Sequence, residues 1–282
     1  MIVMLNLVKV SKKGYNMVKI KNLDESNSNI KVIEDSEYWG YKILEYVSDL
    51  SVTPGEAIYK YFASEMNCRQ RQVLIDMQEG YDWTLSAGGM LWMTGNIQAK
   101  TNIKGVGDMI GKFAKASVTK ETMVKPVYSG EGTLALEPTW KHIVPIETNQ
   151  WGNAVVMNDG YYLASTGLDI SVKAPDSVSG ALLGGEGCFN TYVKGDGLVL
   201  LESPVPINEL VCFEVKDDVV KIDGNLAICW SSGLRLTVER VTKTLVGSAA
   251  SGEGLVNVYR GTGKIFMQAT RDAVPYMHEL MR

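Results

Sequence analysis

The chain has 282 residues and a formal net charge of −4, with 45% hydrophobic and 21% charged residues. A chain of this length buries enough surface to fold without disulfides, and its composition is ordinary for a globular protein. The pI near 5.4 argues against the strongly basic surface that is typical of general nucleic-acid binders. We therefore predict no nucleic-acid partner.

Residues 1–32 are predicted to be a tail followed by a polar linker, and residues 273–282 a second tail or a short helix. The apolar run over residues 1–8 is too short to span a membrane, and lysines follow it instead of preceding it as in a secretory signal. The first 60 residues contain no arginine, unlike a mitochondrial presequence. No Cys-x-x-Cys pair occurs, so the cysteines are predicted to be free thiols in the cytoplasm. They are Cys68, Cys188, Cys212 and Cys229.

Short apolar runs separated by glycine, asparagine and aspartate dominate from residue 33 onward. Residues 234–238 (Leu-Arg-Leu-Thr-Val) alternate apolar and polar positions, which is the period of a strand with one buried face. The sequence therefore predicts an all-β domain over residues 33–272, with β-sandwich or double-stranded β-helix layers. Other strand-like runs lie at residues 71–75, 133–136, 168–172 and 197–201.

Three Gly-x-Gly pairs recur along the chain with spacings of 65 and 66 residues. Recurrence with a fixed period indicates a structural repeat, here a divergent copy over about 33–145 and clearer copies over about 150–210 and 215–270. The glycines are either type II′ hairpin turns or positions inside strands where another layer packs closely. A phosphate-binding loop is disfavoured because no strand–loop–helix context surrounds them. The pairs lie at residues 130 and 132, 195 and 197, and 261 and 263.

One segment, residues 106–116, breaks the β pattern and predicts a short helix. Met109, Ile110 and Phe113 share one face of this helix, whereas Lys112 points elsewhere. The helix either covers an open end of a sheet or docks onto a partner protein or an anionic membrane surface, which three turns would bind only weakly. These four residues are the candidate partner contacts.

No motif in the sequence indicates catalysis. His142 and His278 are the two histidines, and they form no short metal-ligand pattern. The sequence also contains no Gly-x-Ser-x-Gly elbow and no P-loop. The six tryptophans are expected in the core rather than on a sugar-binding platform. We predict a protein that is not an enzyme, with no catalytic residue, no cofactor and no metal site.

Eight segments of the sequence carry a resemblance to a known family. They are residues 87–96, 104–112, 125–132, 136–142, 184–187, 201–206, 222–227 and 251–263. In this order they resemble the altered-inheritance-of-mitochondria family (member twenty-four), in its bacterial form. The resemblance implies pseudo-repeated β layers like those of the tryptophan-attenuator-like superfamily, assembled as a homotrimer. It implies no catalytic residues, because the family has no catalytic motif.

Three functions remain open at this point. The first is a non-enzymatic, oligomeric scaffold or assembly factor that acts through contacts with proteins or with a membrane surface. The second is a small-ligand binding module with a cleft between β repeats. The third is a metal-dependent hydrolase that the motifs do not reveal.

Overall fold

The computed structural model describes residues 18–24, 26–48, 51–101, 125–158, 160–173, 190–240 and 255–270. Within these ranges the chain forms seventeen β-strands, one α-helix and two short 3-10 turns. In chain order the strands and the helix are β1 (Ile30–Ser36), β2 (Tyr41–Tyr46), α1 (Pro54–Glu65), β3 (Arg71–Met77), β4 (Trp83–Leu85), β5 (Met90–Met93), β6 (Asn96–Lys100), β7 (Val127–Leu136), β8 (His142–Glu147), β9 (Ala154–Met157), β10 (Tyr162–Thr166), β11 (Asp169–Lys173), β12 (Asn190–Lys194), β13 (Leu198–Ser203), β14 (Leu210–Asp223), β15 (Ala227–Ser231), β16 (Leu234–Arg240) and β17 (Leu255–Gln268).

The predicted all-β class is confirmed. The alternating run at 234–238 lies inside β16, and the run at 71–75 forms most of β3. The predicted tail over residues 1–32 includes the first residues of β1, which begins at Ile30. The predicted helix over 106–116 and the segment 273–282 lie outside the described residues.

Of the described residues, the first of two compact units comprises 18–24, 26–48, 51–81, 90–98 and 129–140. In it β1, β2, β3 and β7 are hydrogen-bonded in that order, and β5 also pairs with β7. These pairings are antiparallel, with Tyr41 opposite Ile75 and Leu74 opposite Ala135. Apolar side chains at alternate positions fill the core of this unit because one face of each strand points inward. Ile43, Ile75, Leu134 and Leu136 are at most 1% exposed.

The second unit comprises the described residues 82–89, 99–101, 125–128, 141–158, 160–173, 190–240 and 255–270, and it contains two groups of antiparallel strands. In one group the order is β4, β10, β13 and β8, with the first two residues of β7 paired to β4. In the other the order is β11, β12, β9, β15, β17 and β14, and β16 also pairs with β17. The main apolar cluster takes side chains from both groups, so the two sheets bury their inner faces against each other. It includes Val144, Val155, Met157, Val199, Leu201 and Ile228.

The three Gly-x-Gly pairs pack against earlier turns of the chain. Gly132 lies inside β7 with a φ of 148°, and a Cβ there would lie 1.9 Å from the backbone oxygen of Thr94. A Cβ on Gly197 would lie 2.4 Å from the oxygen of Thr166, and one on Gly261, inside β17, would lie 2.5 Å from that of Gly233. Close packing therefore describes these glycines better than hairpin turns do. The copy boundaries stay a prediction.

β14 is an edge strand among the described strands, since it is hydrogen-bonded only to β17 there. Its register shifts between Val215 and Asp218, and Asp217 has a φ of 49° in this bulge. A bulge and charged side chains discourage other chains from pairing with an exposed edge. The charged residues of β14 are Glu214, Lys216, Asp217, Asp218, Lys221 and Asp223.

Candidate functional site

Helix α1 begins and ends at clear local signals. Thr53 is the N-cap and Pro54 occupies the first helical position, where a missing N–H costs nothing. The backbone N–H and the hydroxyl of Thr53 both donate to Glu56 Oε2, at 2.9 and 2.8 Å. After the last turn Asn67 has a φ of 59°, and the Cys68 N–H donates to the Ala63 oxygen at 2.8 Å. The chain therefore leaves the helix through a left-handed residue.

The side of α1 that faces solvent is apolar. No residue of the helix is buried. Ile58, Tyr59 and Phe62 are 62%, 76% and 64% exposed, and Met66 at the C-cap is 81% exposed. Residues at i, i+1, i+4 and i+8 share one side of a helix. We call these four residues the outer stripe.

The opposite side of α1 lines a pocket of about 220 Å³. Ala57, Lys60, Tyr61 and Ser64 contribute to it from the helix, at the i, i+3, i+4 and i+7 spacing of one helical face. The end of β2, residues 68–70 and Trp140 complete the lining. All of these residues belong to the first unit.

Buried charges hold the β side of the pocket in place. Arg71 is 2% exposed and donates to Glu45 Oε2 at 2.8 Å. The same nitrogen, Nη2, also donates to the backbone oxygen and to Oδ1 of Asn67, both at 3.0 Å. Arg69 Nη1 donates to Glu45 Oε1 at 3.0 Å. One carboxylate thus binds two guanidinium groups, and Arg71 ties the end of α1 to the sheet.

Trp140 reaches the pocket because its neighbour pairs with β3. The backbone N–H of Arg71 donates to the Thr139 oxygen at 2.7 Å, and the Thr139 N–H donates back at 2.8 Å. This isolated bridge brings Trp140 to the pocket. Lys60 Nζ lies 5.9 Å from the centre of the Trp140 ring, within the range of a cation–π contact.

The described lining of the pocket contains basic side chains and no acidic one, although the chain as a whole is acidic. The basic residues are Lys60 and Arg69, and Arg69 also pairs with Glu45. The Tyr46 ring adds an aromatic wall, and its hydroxyl donates to Gln72 Oε1 at 2.7 Å. Burial raises the pKa of Tyr46. Basic and aromatic side chains together are the groups that would recognise an anion with a ring.

The residues predicted as partner contacts, Met109, Ile110, Lys112 and Phe113, lie outside the described residues. No three His, Cys, Asp or Glu side chains within the described ranges form a group that could hold a metal ion. The part of the chain that the structure describes contains no helix long and apolar enough to cross a membrane.

Three of the six tryptophans are buried, as the sequence predicts. Trp83, Trp151 and Trp230 are at most 6% exposed. Trp230 packs edge-on against Tyr259, with ring centroids 5.2 Å apart. Trp140 is the exception that matters for the site, because it is only partly buried and lines the pocket.

Sequence reasoning missed α1 although signals for it were available. Thr53-Pro54-Gly55-Glu56 carries the Thr-x-x-Glu pattern of a capping box together with a proline at the first helical position. The apolar residues at 58, 62 and 66 have helical spacing. The strand-like runs that dominate the rest of the chain favour the all-β prediction for this segment as well.

Comparisons with known proteins place the chain among proteins without an assigned activity. A family model described as Mitochondrial biogenesis AIM24 matches residues 65–270, so the match begins at the last residue of α1. An uncharacterized protein of Streptococcus pyogenes serotype M6 is 28% identical over 205 residues, which are 70% of this chain and 80% of that protein. A crystal structure of a Streptococcus pyogenes protein is similar to this chain, with a TM-score of 0.55 and 24% sequence identity. The aligned region covers 76% of this chain and 94% of the Streptococcus pyogenes chain. This last likeness shows the fold alone.

Proposed function

The chain belongs to the Mitochondrial biogenesis AIM24 family, and we propose that it is a non-enzymatic, oligomeric scaffold or assembly factor that uses α1 as a contact element. The observation that carries the proposal is the outer stripe. Four large apolar side chains on one short helix are each more than 60% exposed.

An exposed apolar patch of this composition is typical of protein interfaces. Single exposed apolar residues are common on any protein, but contiguous ones mark contact sites. Tyrosine, phenylalanine and methionine, which form three quarters of the outer stripe, are enriched at interfaces relative to the rest of the surface. The stripe therefore supports a role in which the protein binds another protein surface.

A protein surface suits the outer stripe better than a membrane does. Glu56 and Glu65 outnumber Lys60 on α1, so the helix carries a net charge of −1, and the whole chain carries −4. Amphipathic helices that bind anionic membranes are rich in lysine and arginine on their polar face. The charge of α1 is thus of the wrong sign for such a surface.

A second copy of this chain is the partner that we propose for the outer stripe. Ile58, Phe62 and Met66 form a single i, i+4, i+8 ridge, and interdigitation of two such ridges is the commonest way for helices to pack. A copy of the chain always supplies a matching ridge. The homotrimer implied by the family resemblance is the stoichiometry that we expect.

The proposal includes the cytoplasmic location and the lack of turnover that the sequence predicts. Cys68, Cys212 and Cys229 are free cysteines, as is usual in a reducing compartment. Burial raises the pKa of the Cys229 thiol far above neutrality, which keeps it protonated and unreactive.

The test is the mass of the assembly. Sedimentation equilibrium of the full chain should give a multiple of 31.0 kDa at micromolar concentration. The double variant I58E/F62E should sediment as a smaller species with an unchanged circular dichroism spectrum, because neither side chain is buried within its own chain. The matched control is I33E/V219E, which places two charges at positions that are 41% and 42% exposed elsewhere. It should keep the wild-type mass.

Two results would count against the proposal. A wild-type chain that sediments as a monomer would overturn self-association. An assembly that is equally large in wild type and I58E/F62E would remove α1 from the contact.

A further inference from the structure

We infer that the pocket between α1 and the end of β2 binds a small anionic ligand, namely a single aromatic ring that carries a carboxylate. This site lies on the side of α1 opposite the outer stripe, and it adds a binding activity to the proposed scaffold. The inference rests on the size, charge and walls of the pocket and does not depend on self-association.

The volume limits the ligand to one ring. Pockets for drug-sized ligands measure about 300–1,000 Å³, whereas this one measures about 220 Å³. A dinucleotide or a peptide therefore does not fit inside it, but a monocyclic acid does.

Arg69 supplies the group that recognises the carboxylate. Its Nη1 donates to Glu45 Oε1, and the side chain is 26% exposed. A guanidinium group carries five N–H donors in one plane. One bond to Glu45 therefore leaves donors for the two oxygens of a carboxylate.

Lys60 and the aromatic walls account for the remaining chemistry of the ligand. Lys60 contributes a second positive charge to the lining, and Ser64 a hydroxyl. Trp140, Tyr61 and Tyr46 line the pocket with aromatic rings, which favour a flat apolar group in edge-on or offset packing. Charge and ring are therefore both recognised, and a ligand with only one of them should bind poorly.

Isothermal titration with three probes tests the inference on the full chain. Benzoate has the ring and the charge, benzamide has the ring alone, and acetate has the charge alone. We expect benzoate to bind at least about tenfold more tightly than either of the other two, which is the effect of one charge-assisted contact.

Variants locate the site and separate it from the scaffold function. Lys60→Gln should weaken benzoate at least about tenfold, as expected for a lost ion pair, and should keep the wild-type assembly mass. Trp140→Leu should weaken benzoate as well. The matched control, Lys31→Gln, changes an exposed lysine on β1 and should leave binding unchanged.

Two outcomes would overturn the inference. The first is equal affinity of the wild type for benzoate and benzamide, or no heat with any of the three probes. The second is equal affinity of the wild type, Lys60→Gln and Trp140→Leu for benzoate. Either result leaves the sedimentation test of the outer stripe intact, so the two proposals fail separately.

Discussion

Gly132 in β7 packs directly against the turn at Thr94, and this contact is possible only because glycine has no Cβ. The residue combines a φ of 148° with a backbone oxygen at the position that a Cβ would take. L-residues with a side chain avoid this backbone region, and a contact of 1.9 Å is far inside the van der Waals limit. β7 must therefore move away from the turn at Thr94 if any side chain is added.

Gly132→Ala should lower the free energy of unfolding by at least about 2 kcal/mol, since backbone strain alone costs about 1–3 kcal/mol. Urea denaturation followed by circular dichroism measures the change. The control is Gly55→Ala in α1, where a Cβ meets nothing within 4 Å. A loss at Gly132 no larger than at Gly55 would show that β7 tolerates the side chain.

Arg71 is the second residue whose environment predicts a large effect. It pairs with Glu45 while both are almost fully buried, and it also holds the loop at Asn67. Removal of one partner leaves a buried charge without its counterion. Glu45 would still pair with Arg69, which reduces the expected loss of stability.

Arg71→Leu should therefore lower the free energy of unfolding by about 3 kcal/mol. Lys42→Ala breaks the ion pair with Asp35, in which both side chains are 44% or more exposed, and should cost no more than about 1 kcal/mol. Chemical denaturation of both variants provides the comparison. Similar small losses in the two would mean that burial adds little to the Arg71 pair.

The stability of helix α1 depends on the capping interactions at its ends more than the stability of the strands depends on theirs. None of its residues is buried, so local signals and the contacts around the pocket must hold it. An element of this kind opens locally without unfolding the whole protein. Its stability is therefore visible in amide exchange of the helix and not in global denaturation.

Glu56→Ala should lower the stability of α1 by about 1 kcal/mol, because Glu56 accepts both bonds from the N-cap residue. Glu65→Ala is the matched control at the other end. An acidic residue in the last turn opposes the helix dipole, so its removal should have no effect or a slightly stabilising one. Hydrogen exchange of the α1 amides measures both changes. Equal exchange rates in the two variants would contradict the role of the cap.

Strands were predictable from the sequence where one face of the strand is buried and the other is exposed to solvent. Alternation at 234–238 located β16, and apolar runs located β3 and β13. Helix α1 carries a capping box and helical spacing at residues 58, 62 and 66, but it is a single short helix among strand-like runs. The pocket was not predictable, since Trp140 meets Lys60 only through the bridge between Arg71 and Thr139. A contact set by tertiary pairing leaves no mark in local sequence.

At the scale of the whole molecule, each compact unit contains a tyrosine whose burial affects stability at alkaline pH. Tyr46 belongs to the first unit and Tyr128 to the second. Burial raises the pKa of both above the ordinary value of 10.0. The folded state therefore holds these protons more tightly than the unfolded state does.

The free energy of unfolding should fall as the pH rises from 10 through the raised pKa values. Below pH 10 both states keep the protons and the contribution is complete. Tyr46→Phe and Tyr128→Phe should each reduce this alkaline slope, because phenylalanine has no proton to lose. Urea titrations between about pH 8 and 11 bracket the transition. Identical slopes in the wild type and both variants would show that other groups cause the loss.

The family match covers residues 65–270, so it begins at the last residue of α1 and leaves out β1 and β2. The features that carry both proposals, the outer stripe and the helical side of the pocket, therefore lie almost entirely ahead of the matched region. The matched region contains the strands from β3 to β17.

The bulged and charged edge of β14 has a consequence for what the protein does at high concentration. A strand that added to this edge would lie beside six charged side chains spread along β14, and burial of these groups would cost their hydration. The bulge at Asp217 would also shift the hydrogen-bond register between β14 and an added strand. Growth into cross-β fibrils from this edge therefore lacks a template. Assemblies of the chain should accordingly stay finite, even though every copy carries a fourteen-residue strand at its margin.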